Sequence, residues 1–367
     1  MSTRVLVVDD TAFFRRIVSE ALAGLPGVSV AGTAPNGKAA LARLASLAPD
    51  LVTLDIEMPE MNGIQVLEAM AAAGSKTGVV VVSSHTARGS RMTMRALELG
   101  AFDFITKPDG GSAEDNLTRL RILLTPIVRA FDRRRQIRDI LARGGVGPVR
   151  ALAAADAQPS IRAPGGARVA RGEGSPIVLI GVSTGGPAAL ARVIPALPAK
   201  LAAPVFIVQH MPPLFTSALA ESLQAKSAVR VTEARDGEIA GTGAVYIAPG
   251  GRQMKISAGP KGETVIRLTD DPPERNCRPS VDYLFRSAAL QFPGRSVAAI
   301  LTGMGDDGTE GLRLLKRTGC ATLAQDEASC VVFGMPREAI QAGVIDTVVP
   351  LDGIAAFLVR AVQERVA

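Results

Sequence analysis

Across roughly its first 125 residues the chain alternates short apolar runs with stretches whose apolar positions recur at helical spacing. Val5–Val8, Val28–Ala31, Leu51–Leu54, Val79–Val82 and Phe102–Ile105 read as strands, and Phe13–Ala23, Gly37–Leu47, Gly63–Ala72 and Arg91–Leu99 as helices between them. Five such units predict an α/β fold, a doubly wound (βα)5 sheet whose function sits at the carboxyl ends of its strands. Beyond residue 174 the runs resume as Ile177–Val182, Val205–Val208, Ala244–Ile247, Val297–Leu301, Ala321–Leu323 and Asp346–Val349. Helical patterns at Ala188–Ile194, Phe215–Gln224, Val281–Leu290, Gly308–Lys316 and Asp352–Arg365 accompany them. Residues 229–268 alternate differently, with glycine- and proline-bearing turns that predict antiparallel hairpins. The second half therefore reads as a Rossmann-like α/β domain with a β-hairpin insertion.

Between the halves the pattern fades. Residues 131–174 hold nine arginines, no lysine and four acids in a Gly-, Ala- and Pro-rich stretch. Most of the chain's net charge of +6 is concentrated there. That composition reads as a linker, 126–174, rather than a folded basic face, and argues against nucleic-acid binding. It divides the chain into domains at 3–125 and 175–365. The chain is 47% hydrophobic and 21% charged, which suits an ordinary soluble protein with two cores. The run Val5–Val8 is too brief for a signal peptide, and no segment is long enough to insert in a membrane. Cys277, Cys320 and Cys330 are widely spaced and lack a C-x-x-C pair, so their spacing suggests neither disulfides nor a zinc site. A cytoplasmic location is expected.

The polar residues of the first half gather at strand ends. Asp9 and Asp10 follow the first strand, Asp55 the third, Ser83 ends the fourth and Lys107 follows the fifth. Three converging carboxylates repel one another unless a hard cation such as Mg²⁺ neutralises them. A lysine and a hydroxyl beside them could hold an added phosphoryl group. The runs Val8-Asp9-Asp10, Leu54-Asp55-Ile56-Glu57-Met58-Pro59 and Thr106-Lys107-Pro108 resemble the response-regulator receiver domain. The resemblance implies that Asp55 is the phospho-acceptor and that Asp9 and Asp10 hold Mg²⁺ with the Glu57 carbonyl. It also implies that Ser83 and Lys107 contact the phosphoryl group and that Phe104 is the aromatic switch.

In the second half, Ile177–Val182 runs into Ser183-Thr184-Gly185-Gly186-Pro187, a serine on a strand-to-helix turn. Such a loop can carry a nucleophile beside free helix-start N–H groups, or it can cradle a phosphate. A serine nucleophile needs a base. His85 lies in the first domain, whereas His210 ends the strand after Val205 on the same sheet edge as Ser183. The orienting acid could be Asp306 or Asp307, after Val297–Leu301. The chain order Ser, His, Asp differs from that of ordinary α/β hydrolases.

The runs around Ser183, Val208-Gln209-His210-Met211-Pro212-Pro213, Arg278-Pro279-Ser280-Val281-Asp282, Leu301-Thr302-Gly303-Met304-Gly305-Asp306-Asp307-Gly308 and Phe333–Ile340 resemble the chemotaxis protein-glutamate methylesterases, the CheB family. That likeness assigns Ser183 as nucleophile, His210 as base and Asp307 as acid, with Thr184 and Met304 at the oxyanion. It implies demethylation of glutamyl esters and deamidation of glutamines on methyl-accepting chemotaxis receptors, under phosphorylation by a chemotaxis histidine kinase. No cofactor is expected in the catalytic domain. One departure stands out: many members have histidine where this chain has Cys277. A DNA-binding regulator would carry a smaller helical effector, and a nucleotide-binding effector would carry a Walker-type loop that is missing here.

Overall fold

The computed structural model describes residues 2–143 and 174–366, so residues 144–173 of the expected linker lie outside the described residues. The first domain runs β1 (Thr3–Val8), α1 (Ala12–Ala23), β2 (Val28–Ala34), α2 (Gly37–Leu47), β3 (Leu51–Asp55), α3 (Gly63–Ala72), β4 (Gly78–Ser83), α4 (Ala87–Glu98), β5 (Asp103–Thr106) and α5 (Ala113–Arg143). Its sheet has the order β2-β1-β3-β4-β5 with every pairing parallel. Polar side chains start the helices: Thr11, Asn36, Asn62 and Thr86 each accept a hydrogen bond from an orphan N–H of the first turn. The last helix continues through Pro126 and beyond residue 125. Phe131 packs edge-on against Phe102, and Arg135 pairs with Asp50, so the start of the expected linker is part of this domain's packing.

The second domain is built on β6 (Ile177–Val182), α6 (Gly186–Val193), β7 (Val205–Gln209), α7 (Phe215–Gln224), β8 (Arg230–Glu233) and β9 (Ala244–Ile247). After the hairpin β10 (Gln253–Ala258) and β11 (Thr264–Thr269) come α8 (Val281–Gln291), β12 (Ser296–Ile300), α9 (Thr309–Arg317), β13 (Ala321–Gln325), α10 (Met335–Gln341), β14 (Thr347–Val349) and α11 (Leu351–Val366). Seven parallel strands run in the order β14-β13-β12-β6-β7-β9-β8. The central strands are apolar on both faces because helices cover both.

The expectation of hairpins throughout 229–268 is corrected here. β10 and β11 pair antiparallel, with Ile239 bridging antiparallel to Val265, whereas β8 lies parallel to β9 at the sheet edge. Two short parallel strands and a hairpin share the same alternation and turn residues, so local pattern does not separate them.

The domains dock through α4 and β5 of the first against α6 and α7 of the second. Phe104 stacks on Phe215 with ring centroids 4.7 Å apart, and His85 lies 6.0 Å from the same ring. Glu98 pairs with Lys226 at 2.5 Å and accepts a hydrogen bond from Ser222. Burial alone would raise the Glu98 pKa, but these partners hold it below the usual carboxylate range.

Candidate active site

In the second sheet the strand order reverses around β6, which puts a crevice at the carboxyl ends of β6, β7 and β12. The register pairs Val182 with Gln209, so Ser183 and His210 leave neighbouring strands side by side. The His210 N–H donates to the Val182 carbonyl at 3.1 Å, and the Ser183 N–H donates to the Thr302 carbonyl at 3.0 Å. Three strand ends are thereby laced together. Gly185 caps α6 at φ +78°, a conformation that costs any residue with a Cβ. Gly303 permits a close approach, since a Cβ there would sit 2.8 Å from that of Ser183.

Of the two adjacent aspartates, Asp307 faces His210 and Asp306 turns away to pair with Arg275. Asp307 is buried and fully engaged. Its Oδ1 accepts from the Ser280 hydroxyl and the Asp282 N–H, both at 3.0 Å, and its Oδ2 from the Val281 N–H at 2.7 Å and His210 Nε2 at 2.8 Å. Three of these donors belong to the N-terminus of α8, whose partial positive charge suits a carboxylate. Burial pushes the Asp307 pKa up, but His210 and the α8 N–H groups outweigh it and hold the acid below its ordinary range. The Arg278-Pro279-Ser280-Val281-Asp282 run thus has a concrete structural role that sequence reasoning left unassigned.

Nε2 carries the N–H that faces Asp307, and the other ring nitrogen, Nδ1, faces Cys277. Burial would lower the His210 pKa, yet the hydrogen bonds to Asp307 and Cys277 push it up to about 9. Cys277 was missed as a neighbour: its Sγ lies 3.7 Å from Nδ1. Sixty-seven residues separate the two in the chain. The backbone bonds that close this region draw on the amides of Ser183, Gly186, Gly303, Gly334 and Met335 and on neither Thr184 nor Met304 among the described residues. The Thr184 hydroxyl donates instead to Asp103 of the first domain at 2.7 Å.

Asp103 is one wall of a cavity of about 250 Å³ that lies between the domains and contains Ser183, Thr184, His210 and Met304. Ile122, Leu123, Pro126 and Ile127 of α5 line its first-domain side. Burial raises the Asp103 pKa to about 6, against the opposing hydrogen bonds from Thr184 and the Phe104 N–H.

The first domain has its own crevice, between β1 and β3. Carboxylate oxygens of Asp9, Asp10 and Asp55 lie within 4.8 Å of one another. Lys107 Nζ reaches Asp9 at 2.8 Å and Asp55 at 2.7 Å. One ammonium against three carboxylates leaves negative charge over, and an all-oxygen donor set of this kind fits Mg²⁺. Burial lifts the Asp55 pKa to about 6 despite Lys107, with Asp9 adding to the rise. The Glu57 N–H donates to Asp55 at 3.1 Å, which brings the Glu57 backbone to the same place. Ser83 is buried and receives a hydrogen bond from Thr93 at 2.8 Å.

Fold and site together define a response-regulator hydrolase, a phosphorylatable receiver docked over a serine-bearing crevice. The CheB methylesterase family matches residues 178–358, and the response regulator receiver domain family matches residues 5–117. A protein-glutamate methylesterase/protein-glutamine glutaminase of Desulfotalea psychrophila is 49% identical over 98% of both chains. One of Bacillus subtilis is 42% identical over 99% of both. The crystal structure of the Thermotoga maritima CheB methylesterase catalytic domain aligns at 43% identity with a TM-score of 0.50, covering 51% of this chain and 98% of that one. This chain belongs to the CheB methylesterase family. Among the described residues, no helix is long and apolar enough to cross a membrane.

Proposed function

We propose that Ser183, His210 and Asp307 form the catalytic triad of a protein-glutamate methylesterase and glutaminase acting on chemotaxis receptors in the cytoplasm. The observation that carries this reading is the bond between Asp307 Oδ2 and His210 Nε2, 2.8 Å long, on a histidine that leaves the strand next to that of Ser183. Ser183 Oγ attacks the glutamyl methyl ester and its proton passes to Nδ1. The Thr184 and Met304 N–H groups receive the oxyanion. The tetrahedral intermediate collapses, and the leaving methoxide takes the proton from His210 to depart as methanol. Water then attacks the acyl-enzyme with His210 again as base, releasing glutamate and free Ser183. With a glutamine side chain the same steps release ammonia. Asp307 holds the tautomer and stabilises the imidazolium without accepting the proton.

The resting chain is held in check by its receiver. Ile122, Leu123, Pro126 and Ile127 of α5 line the crevice beside Ser183 and His210, so the receiver narrows the approach of a protein substrate. Asp55 takes a phosphoryl group from the chemotaxis histidine kinase. Mg²⁺ bound by Asp9, Asp10, Asp55 and the Glu57 carbonyl would neutralise charge there when present, and Lys107 and Ser83 would meet the phosphoryl oxygens. Nearly two added negative charges reorganise the β4–α4–β5 face, where Phe104 and Asp103 meet the catalytic domain. Methanol release from methylated receptor membranes tests the reading. Ser183→Ala should lower it by roughly 10³-fold or more while Asp55 still becomes phosphorylated. Retained methanol release would remove Ser183 from the mechanism.

A further inference from the structure

The third neighbour of His210 is not explained by ester hydrolysis. His210, Cys277 and Asp307 present donor atoms within 4.8 Å of one another, an imidazole, a thiol and a carboxylate on one spot. We propose that His210 Nδ1 and Cys277 Sγ form a binding site for Zn²⁺ that switches the enzyme off independently of the receiver.

Geometry supports this. Zinc binds imidazole nitrogen at about 2.0 Å and thiolate sulfur at about 2.3 Å, so two such ligands on one tetrahedral ion lie roughly 3.5 Å apart. The observed separation is 3.7 Å. The two groups therefore need only a small adjustment to share an ion. Asp307 completes the arrangement from the far side. Its bond to Nε2–H fixes the tautomer that leaves Nδ1 as a lone pair, the carboxylate–histidine–metal relation that orients imidazole ligands elsewhere. Asp307 is not itself a ligand in this scheme, because its oxygens already accept four hydrogen bonds. Cys277 is half-buried, so the ion has a route in and water can fill the remaining positions. Arg275, two residues from Cys277, is already paired with Asp282 and Asp306 and adds no uncompensated charge there.

Binding involves no change of oxidation state. Zn²⁺ forms bonds to Sγ and Nδ1, and the thiol proton and the Nδ1 proton of the imidazolium leave to solvent. The ion then occupies the lone pair that receives the proton of Ser183. Inhibition in this form rests on the triad reading, whereas binding does not. Cys320 and Cys330 are buried and belong to no second cluster of this kind among the described residues.

The test uses the full chain with two readouts. Zn²⁺ affinity is measured by competition with a chromophoric indicator, and Cd²⁺ serves as a probe through its ultraviolet thiolate charge-transfer band. The wild type should bind one ion per chain with a thiolate band. Cys277→Ala should lose the band and bind at least about tenfold more weakly. Cys277→His should restore zinc binding without the band. Methanol release, each variant normalised to its own zinc-free rate, should fall more than about tenfold for wild type and Cys277→His but little for Cys277→Ala. Equal zinc inhibition of wild type and Cys277→Ala, or a wild type without the thiolate band, would leave Cys277 with a structural hydrogen bond only. Zinc bound through Cys277 but without effect on an active enzyme would overturn the inhibitory part. Should Ser183→Ala retain activity, the triad reading fails while the binding result still stands.

Discussion

The two crevices of this molecule occupy the same architectural address and make opposite use of a buried aspartate. Asp55 and Asp307 both sit at carboxyl ends of parallel sheets, at points where the strand order reverses. Asp55 has Lys107 and a single backbone donor beside two further carboxylates, and burial raises its pKa to about 6. Asp307 has four donors, three from the start of α8, and is held below the normal range. Burial acts in the same direction on both. The number of N–H and O–H groups aimed at the carboxylate decides the outcome. One aspartate is left crowded with negative charge, ready for a cation and a phosphoryl group, while the other is a fixed anion that serves an imidazole.

The contrast is most exposed to test at Asp307. Asp307→Asn would turn an amide NH₂ toward donors that need an acceptor and would disturb the His210 tautomer, so methanol release should fall by roughly 10³- to 10⁴-fold. A loss under tenfold would mean that the α8 anion is merely structural. Next comes Asp55→Asn, which should abolish stimulation by a small phosphodonor and leave the unphosphorylated rate in place. Persistent stimulation would move the acceptor elsewhere.

The wall between the crevices carries smaller effects. Phe104→Ala removes a stacked aromatic contact worth about 0.5–1.5 kcal/mol beyond its area. Basal methanol release should rise roughly two- to tenfold without phosphodonor, and an unchanged basal rate would show that the stacking does not hold the domains closed. The smallest effect is a pH dependence at Asp103. Its docked pKa, about 6, lies above the ordinary carboxyl value of 3.8, so docking favours the neutral acid. That contribution is complete below the lower value and is lost as pH rises through about 6. Asp103→Asn stays neutral throughout. The ratio of wild-type to Asp103→Asn basal rates should therefore be near unity below about pH 3.8, rise between there and pH 6, and level off by pH 7.5. A flat ratio would exclude Asp103 from the latch.

Much of this was legible along the chain. Apolar runs marked the strands of both sheets because a parallel strand buried on both faces needs nearly continuous apolar residues. Polar residues immediately after those runs marked the crevices, because a chain leaving a parallel strand emerges at the carboxyl edge. Asp9, Asp10, Asp55, Lys107, Ser183 and His210 were found that way. The choice between Asp306 and Asp307 came from a family resemblance and from the direction in which the loop turns its side chains, not from spacing. Residues 229–268 were misread because a parallel edge strand and a hairpin share one local pattern.

The sequence by itself determined which residue types stand at the ends of which strands, since that follows from short-range periodicity and the geometry of a strand. Only the tertiary structure decided who meets whom across long separations. Cys277 comes to Nδ1 of His210, the N–H groups of α8 converge on Asp307, and Asp103 crosses from one domain to the Thr184 hydroxyl of the other. Those contacts join segments 25 to 81 residues apart. They depend on how sheets, helices and domains pack, which no local pattern encodes.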